Sequence, residues 1–388
     1  MNHAFQIAGH TLTLLRNGED YFPRLAAAID NAKLSIYVES YIYASDGSGR
    51  LISTALQNAA KRGVKTRLLL DGYGSADLPE TWLDEMREAG VEVLWFRKEV
   101  GRFSFRRYHL RRLHRKLALI DAHTAFVGGI NIIDDQSHGL HSPRLDYAVE
   151  VTGGVVLDVH VSMRRLWLLV SWSQFHRHGQ LEKIRVLHNS EIQQRVMFVT
   201  RDSFRHRRDI EHAYLKAIAE AQHEIIIANA YFLPGKKFRD ALLDAVQRGV
   251  HVVLFLQGRV EYRFQHYATL ALFDELLHAG IEIYAYQPSF MHAKVAVIDS
   301  EWATVGSSNI DPFSLWLARE ANLVVKDVEF ATHLRQDLLK EMQHSSRHIA
   351  PSVWRKLNIV NWLMMRVSYL VARFLVGAII NLRVGEEM

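Results

Sequence analysis

The 388-residue sequence predicts an α/β fold built as two tandem lobes related by a pseudo-twofold axis, with mostly parallel or mixed sheets flanked by helices. Three observations carry this. The chain repeats itself: NAKLSIYVESYIY at residues 31–43 resembles EAQHEIIIANAYF at 220–232, with Tyr41 and Tyr231 190 positions apart. Strand-like and helix-length segments alternate in both halves, the pattern of βαβ units. At ~150 residues per domain, the length suits two domains.

The elements follow in matched order. After the first repeated strand, each half has a helical stretch ending in Arg-Gly-Val: Arg62-Gly63-Val64 and Arg248-Gly249-Val250. Glycine at that place ends a helix because it adopts positive φ without penalty. The strands KTRLLLD and HVVLFLQ follow, then helices ending in Ala89-Gly90 and Ala279-Gly280, then VEVLWF and IEIYAY. The joint falls near residues 175–195, in FHRHGQLEKIRVLHNSE. This stretch is not Pro/Gly-rich, so the halves should pack tightly. The expected units are a first lobe at 1–180, a second at 190–345 and an amphipathic helical tail at 350–388.

Composition narrows the chemistry. Hydrophobic residues make up 49% and charged residues 23%, which excludes a mainly disordered chain. There is no cysteine, which removes disulfide scaffolds, thiol nucleophiles and thiolate metal sites. The net charge of +5 is unevenly placed: Arg97 to Lys116 carries +8, leaving the remainder at −3. One anion-facing patch explains that distribution. The opening MNHAFQIAGHTLTLLRNGED lacks the cationic start and apolar centre of a signal peptide. No uncharged apolar run reaches the ~18–20 residues that span a bilayer. The nearest approach, residues 357–382, is divided by Arg366 and Arg373, seven apart on one helical face. An apolar helix with a thin cationic stripe and Trp362 reads as an interfacial anchor, with an ordinary buried helix as the competing reading.

Each half then carries the same short pattern. HRKLALID places His114, Lys116 and Asp121; HAKVAVID places His292, Lys294 and Asp299. Seven residues past each Asp comes Gly-x-x-Asn, ending at Asn131 and at Asn309, and His to Asn is 17 in both halves. One copy is a weak signal; two, at matched places in a repeat, are not coincidence. The residues after each Lys are apolar and β-rich, so His and Lys at i and i+2 share one face of a strand. Asp121 and Asp299 are at an odd offset from their His and are expected to be architectural, fixing loops or pairing with a base.

Two such strands meeting about the pseudo-twofold axis would gather two imidazoles, two ammonium groups and two amides. That set fits a phosphodiester, with the cations meeting the charge of the transition state. One His attacks phosphorus while the other protonates the leaving oxygen and later deprotonates the acceptor. A metal site is the competing reading for a chain with 21 histidines, but neighbouring ammonium groups would repel a divalent ion. Downstream of each Asn lies an acid before an alternating strand: Asp146 in PRLDYAVEV and Glu320 in LAREANLVV. Each is expected to orient a histidine, across the half boundary.

At these residues the sequence resembles the phospholipase D superfamily, whose mark is the doubled HxKxxxxD motif. The resemblance runs from LTLLRNGEDYF at 12–22 to about residue 330, and HRKLALIDAHTAFVGGINI with GSSNIDPFSLWLAREANL resembles bacterial cardiolipin synthases of the short type without N-terminal membrane spans. It implies two phospholipase D-like lobes with the active site at their interface. It also implies phosphatidyl transfer from phosphatidylglycerol through a phosphohistidine, without metal or cofactor. The implied catalytic set is His114, Lys116, Asp121, His292, Lys294 and Asp299, with His114 the nucleophile and His292 the acid/base. Asn131, Asn309, Asp146 and Glu320 complete the substrate-binding surroundings. Ala318 is a departure, since relatives often have Asn two residues before the acid at Glu320. The implied partners are anionic phospholipid and a membrane surface, with nucleic acid disfavoured, and the implied place is the bacterial cell membrane, peripheral, on its cytoplasmic face. A hydrolytic phospholipase D and a nuclease of the superfamily are the alternatives. Gly63 to His114 is eight residues longer than Gly249 to His292, and the extra length falls in GRFSFRRYHLRRLHRK, an Arg-rich loop with Phe103, Phe105 and Tyr108 suited to docking on anionic lipid.

Overall fold

A computed structural model describes residues 3–98, 111–135, 142–174, 195–202, 206–261, 263–311, 318–351, 363–371 and 374. The first lobe holds β1 (Ala4–Ile7), β2 (His10–Arg16), α1 (Asn17–Asn31), β3 (Ser35–Ser40), α2 (Gly47–Lys61), β4 (Lys65–Asp71), α3 (Glu80–Glu88), β5 (Glu92–Phe96), β6 (Lys116–Ile120), β7 (Thr124–Gly128), β8 (Tyr147–Thr152) and α4 (Val156–Ser173). The second holds β9 (Val196–Arg201), α5 (Asp209–Glu220), β10 (Glu224–Asn229), α6 (Lys236–Gln247), β11 (His251–Gln257), α7 (Arg263–His278), β12 (Glu282–Tyr286), β13 (Lys294–Ile298), β14 (Trp302–Gly306), β15 (Glu320–Lys326), α8 (Val328–Ser345) and β16 (Ser346–His348).

The sheets run β1-β2-β8-β7-β6-β3-β4-β5 and β9-β15-β14-β13-β10-β11-β12-β16. Seven strands correspond in order, and each lobe adds its own edge strand, β1 or β16. The expected βαβ units are present as the parallel pairs β3–β4–β5 and β10–β11–β12. The helix-ending glycines sit where predicted, at φ 89° for Gly63 and 87° for Gly249. All other pairings are antiparallel, so the sheets are mixed, because the motif strands turn straight back. Only three residues separate Ile120 from its partner Thr124, and three separate Ile298 from Trp302, which is too short for a parallel crossover.

Strand faces assign the cores. Leu117 and Leu119 of β6, with Val149 and Val151 of β8, pack in one cluster with Val295 and Val297 of β13 and Leu323 of β15. This cluster is shared by the two lobes, so the sheets face each other. α4 and α8, which occupy corresponding places, enter it through Val159 and Met163 and through Leu334 and Leu338. The opposite faces carry separate cores: Ala118 and Ile120 under α1 and α2, and Ala296 and Ile298 under α5 and α6. At ~1.5–3 kcal/mol per fully buried aliphatic side chain, the shared cluster holds the lobes as one body. Polar ties add registration: Arg16 pairs with Asp337 (3.2 Å) and Glu341 (2.6 Å) on α8, and the Tyr147 hydroxyl donates to Asp337 at 2.6 Å.

Candidate active site at the lobe interface

The chain just before each motif strand pairs with the other lobe. Leu113 forms a parallel bridge to Arg319; the Arg319 N–H donates to the Arg112 carbonyl (2.8 Å) and the His114 N–H to the Arg319 carbonyl (2.9 Å). In the matching place Leu145 bridges Met291, with Leu145 N–H donating to Phe290 (3.1 Å) and His292 N–H to Leu145 (2.8 Å). Glu320 follows Arg319 and Asp146 follows Leu145, so the bridges deliver one carboxylate to each imidazole. His114 Nδ1 lies 2.9 Å from Glu320 Oε1, and His292 Nδ1 lies 2.6 Å from Asp146 Oδ2. Where these carboxylates are ionised they only accept, so each Nδ1 then carries the proton and Nε2 is the nitrogen left to react.

Sequence reasoning did not single out the groups that fix these segments. Asp71 Oδ2 accepts from Leu113 N–H at 2.7 Å, and Gln257 Oε1 accepts from Met291 N–H at 2.9 Å. Both stand eight residues past the helix-ending glycine of their lobe, a register match that was open to inspection. Ser307 donates to Glu320 Oε2 at 2.6 Å and so fixes the carboxylate that holds His114. The first-lobe counterpart is Gly129, where an added Cβ would stand 2.3 Å from Asp146 Oδ1. The Tyr41 ring meets the His114 ring edge-on at 4.8 Å, whereas Tyr231 donates its hydroxyl to Glu261.

The lysines complete one electrostatic centre. Lys116 Nζ donates to the carbonyl of His114 at 2.7 Å, and Lys294 Nζ to that of His292. Burial, then the fields of Lys116 and Lys294, hold the His114 imidazole well below its ordinary pKa. Burial, then Lys294 and Lys116, do the same for His292. Each lysine therefore acts on both rings, as it must if the two motifs share a centre. Burial also brings Lys116 down to about 7 and Lys294 to about 8, against the raising pull of Glu320 and Asp146. Burial pushes the carboxylates up, Glu320 to about 8 and Asp146 to about 6, opposed by the lysines. Two buried lysines acting on both imidazoles are thus poised to meet an anion.

The remaining sequence-derived residues separate into two groups. Asn131 and Asn309 are buried close to the motif strands; Asn131 Oδ1 accepts from Ile42 N–H at 3.2 Å, which leaves its Nδ2 as the donor for a ligand. Asp146 and Glu320, placed with the substrate-binding residues, are buried against the imidazoles. Asp121 and Asp299, carried in the catalytic set, stand at the far ends of β6 and β13. Asp121 accepts from the N–H groups of Lys33, Leu34 and Ser35, and Asp299 from Gln222, His223 and Glu224. Each begins a tight turn with two successive residues at positive φ, Asp121-Ala122 and Asp299-Ser300. Asp tolerates that conformation, so it serves as turn former and amide anchor at once. The Arg-rich loop with Phe103, Phe105 and Tyr108, and most of the lobe joint, lie outside the described residues.

Duplicated lobes that bring two His–Lys pairs to one centre define a protein of the phospholipase D superfamily. The family model described as "Cardiolipin synthase, PLD-like domain" matches residues 25–153 and 214–342, and the chain belongs to that family. It is 39% identical over 342 residues to Cardiolipin synthase B of Shigella flexneri, covering 85% of this chain and 80% of that protein. It is 33% identical over 351 residues to Major cardiolipin synthase ClsA of Bacillus subtilis (strain 168), covering 87% and 71%. Among solved structures, phosphatidylserine synthase from Haemophilus influenzae Rd KW20 superposes with a TM-score of 0.71 at 13% identity over 98% of this chain and 96% of that one, which shows a common fold.

Proposed function

We propose that this chain is a cardiolipin-forming phosphatidyltransferase using phosphatidylglycerol as donor and a second phospholipid alcohol as acceptor. The single observation that carries the mechanism is the crossed pairing of His114 with Glu320 and His292 with Asp146. His114 Nε2 attacks phosphorus, the phosphorus–oxygen bond to the departing glycerol breaks, and that oxygen takes a proton from His292. The acceptor hydroxyl then gives its proton to His292 as its oxygen attacks phosphorus, and the phosphorus–nitrogen bond breaks, returning its electron pair to His114. Glu320 and Asp146 set the tautomers and stabilise imidazolium as it forms. Lys116 and Lys294, with the Asn131 and Asn309 amides, meet the negative charge on the non-bridging oxygens. A bound anion also offsets the lysine fields that disfavour a protonated His292.

Contact with a membrane suits a lipid substrate. No helix among the described residues is long and apolar enough to cross one. In the tail, the helical segment 363–371 buries Met365 and receives a hydrogen bond from Arg239 on the Tyr369 hydroxyl (2.8 Å). It exposes Leu363, Met364, Val367, Leu370 and Val371, with Phe374 beyond. Such a face supports peripheral attachment, which we place on the cytoplasmic leaflet.

The test is mass spectrometry of the lipids formed when purified protein meets phosphatidylglycerol vesicles in EDTA, with plasmid DNA in a parallel tube. Cardiolipin and released glycerol are expected. Phosphatidic acid alone would replace transfer by hydrolysis, and nicked plasmid would turn the reading toward a nuclease.

A further inference from the structure

We infer that Arg144 is the docking cation for a second phosphodiester, the one carried by the acceptor lipid, and that it places the acceptor on the His292 side of the centre. The inference rests on the transferase reading and names what that reading leaves unassigned. The reacting phosphate engages Lys116 and Lys294. An acceptor phospholipid brings another anion, one glycerol unit away from its attacking hydroxyl, and an anion entering a buried cleft needs its own cation.

Position comes first. Arg144 precedes Asp146 by two residues in an extended segment, so both side chains leave the backbone on the same side, and Asp146 holds the His292 ring. The guanidinium is close enough to act electrostatically on His292, Lys294 and Asp146. If His292 takes the proton of the attacking hydroxyl, the acceptor phosphate lies within a glycerol's reach of that ring, which is Arg144's neighbourhood.

Second, this guanidinium is uncommitted. Among the described residues its Nε is buried with no hydrogen-bond partner. The two carboxylates whose charge it feels are both engaged: Asp146 accepts from His292 and from Tyr147 N–H, and Asp135 accepts from Gly18 N–H. The Phe290 ring, 5.9 Å from the guanidinium carbon, backs it and leaves its edge for a ligand. A buried N–H without an acceptor is costly, and a phosphate oxygen removes that cost with a charge-assisted, two-pronged bond.

Third, the pseudo-symmetry is broken at this point. The residue two before the other acid, Glu320, is Ala318, whose carbonyl is taken by Arg201. On the His114 flank the cations are Arg112, which rides over the Tyr73 ring at 4.7 Å and whose field falls on Asp71, and Arg319, next to Glu320; Arg112 Nη1 and Arg319 Nε are likewise buried without a hydrogen-bond partner among the described residues. The two flanks therefore differ in where they can hold a second anion.

The experiment compares two water-soluble probes by calorimetry on the full chain: deacylated cardiolipin, with two phosphodiesters across one glycerol, and glycerophosphoglycerol, with one. The wild type should prefer the two-phosphate probe by about tenfold or more, the worth of one charge-assisted pair. Arg144→Ala should bring the two affinities together, Arg144→Lys should keep part of the preference, and Arg112→Ala should preserve it. A preference that survives Arg144→Ala, or that Arg112→Ala removes equally, overturns the inference, because the effect is then general charge or lies elsewhere. A merely structural role would weaken both probes together and leave their ratio unchanged, which also overturns it. In turnover, Arg144→Ala should lower transfer to phosphatidylglycerol relative to transfer to ethanol by a similar factor. If the wild type makes no cardiolipin, the transferase reading fails by itself, while the probe preference still decides the anion site.

Discussion

The two lobes share seven strands in one order, the same crossed bridge and the same His–Lys spacing, yet the surroundings of their histidines differ. His114 faces the longer Glu320, whose second oxygen is held by Ser307, and its ring is braced by Tyr41. His292 faces the shorter Asp146, with Gly129 where the other lobe has serine and Arg144 close by. Behind His114 lies a buried ion pair, Arg115 with Glu39, at positions occupied in the second lobe by Ala293 and Ala228. Duplication supplied two equivalent nitrogens; these differences give them different work. A braced, doubly held ring suits a nucleophile that must not rotate through two displacements. A ring beside a free-edged cation suits proton exchange with an anionic alcohol.

The sharpest way to break that comparison is to delete one ring at a time. His114→Ala and His292→Ala should each reduce turnover by ~10³-fold or more, since each removes one full catalytic role. They should differ in what accumulates. Acid-labile, base-stable phosphatidyl label should be absent from His114→Ala and detectable, slowly formed, in His292→Ala. Label on the His114→Ala protein would reverse the two assignments, and full activity in either variant would end the shared-centre reading.

The next effect separates the carboxylates. Glu320→Gln and Asp146→Asn keep size and polarity but hold the wrong tautomer, as an amide can donate to Nδ1. Losses of ~10²–10⁴ in kcat are expected from such a change at an orienting acid. Glu320→Gln should slow release of the first glycerol, and Asp146→Asn should slow transfer to the acceptor more. Rapid-quench measurement of the two half-reactions checks this; equal slowing of both steps in both variants would erase the proposed division of labour.

How much of this was open to inspection in the sequence depends on whether the causing interaction is local. The repeat, the helix-ending Gly63 and Gly249, and the paired motifs are local patterns and were legible. So was the architectural part of Asp121 and Asp299, because their odd offset sends them away from the His–Lys face. The mixed sheets were harder: the parallel βαβ units announce themselves by length, whereas the antiparallel hairpins depend on three-residue turns whose positive-φ pair, Asp121-Ala122 and Asp299-Ser300, contains no glycine. Glu39 with Arg115, and Leu113 with Asp71, join residues 76 and 42 positions apart, and Ser307 gains meaning only once Glu320 is placed beside it. No spacing within one segment encodes those partners.

A smaller effect tests the lysines, which the two lobes share but hold at different pKa values. In the empty site Lys116 loses its proton near pH 7 and Lys294 near pH 8, burial being the main cause for both. A bound anion raises both, so binding takes up protons above pH 7 and affinity falls as pH rises, by up to about tenfold per unit for each lysine beyond its empty-site value. Below pH 6 both lysines are charged in either state, so their share of the pH dependence vanishes. Calorimetry of glycerophosphoglycerol in two buffers of different ionisation enthalpy reads the uptake directly. Binding that is pH-independent from 6 to 9 would mean the lysines are already fully charged without a ligand. Lys294→Met and Lys116→Met should each remove one step of that pH dependence.

The smallest expected effect asks whether the lobes differ where they look the same. Asp121 and Asp299 each anchor three backbone amides, and those amides hold both carboxyls below the usual range despite the opposing effect of burial. Both are largely solvated, so Asp121→Ala and Asp299→Ala should each cost only about 1 kcal/mol, a fall of ~2 °C in Tm for a chain of this size. The sign of the pH dependence follows from the depressed pKa. The stabilisation is complete above the unfolded carboxyl value of ~4 and disappears as pH falls through the lower folded value. The melting gap between wild type and each variant should therefore close on acidification from pH 7 to 3, in both lobes alike. A variant that melts normally but turns over a hundredfold more slowly would place its carboxylate in the chemistry instead of the turn, and a loss confined to one of the two would show that the symmetric turns, like the histidines they support, have diverged.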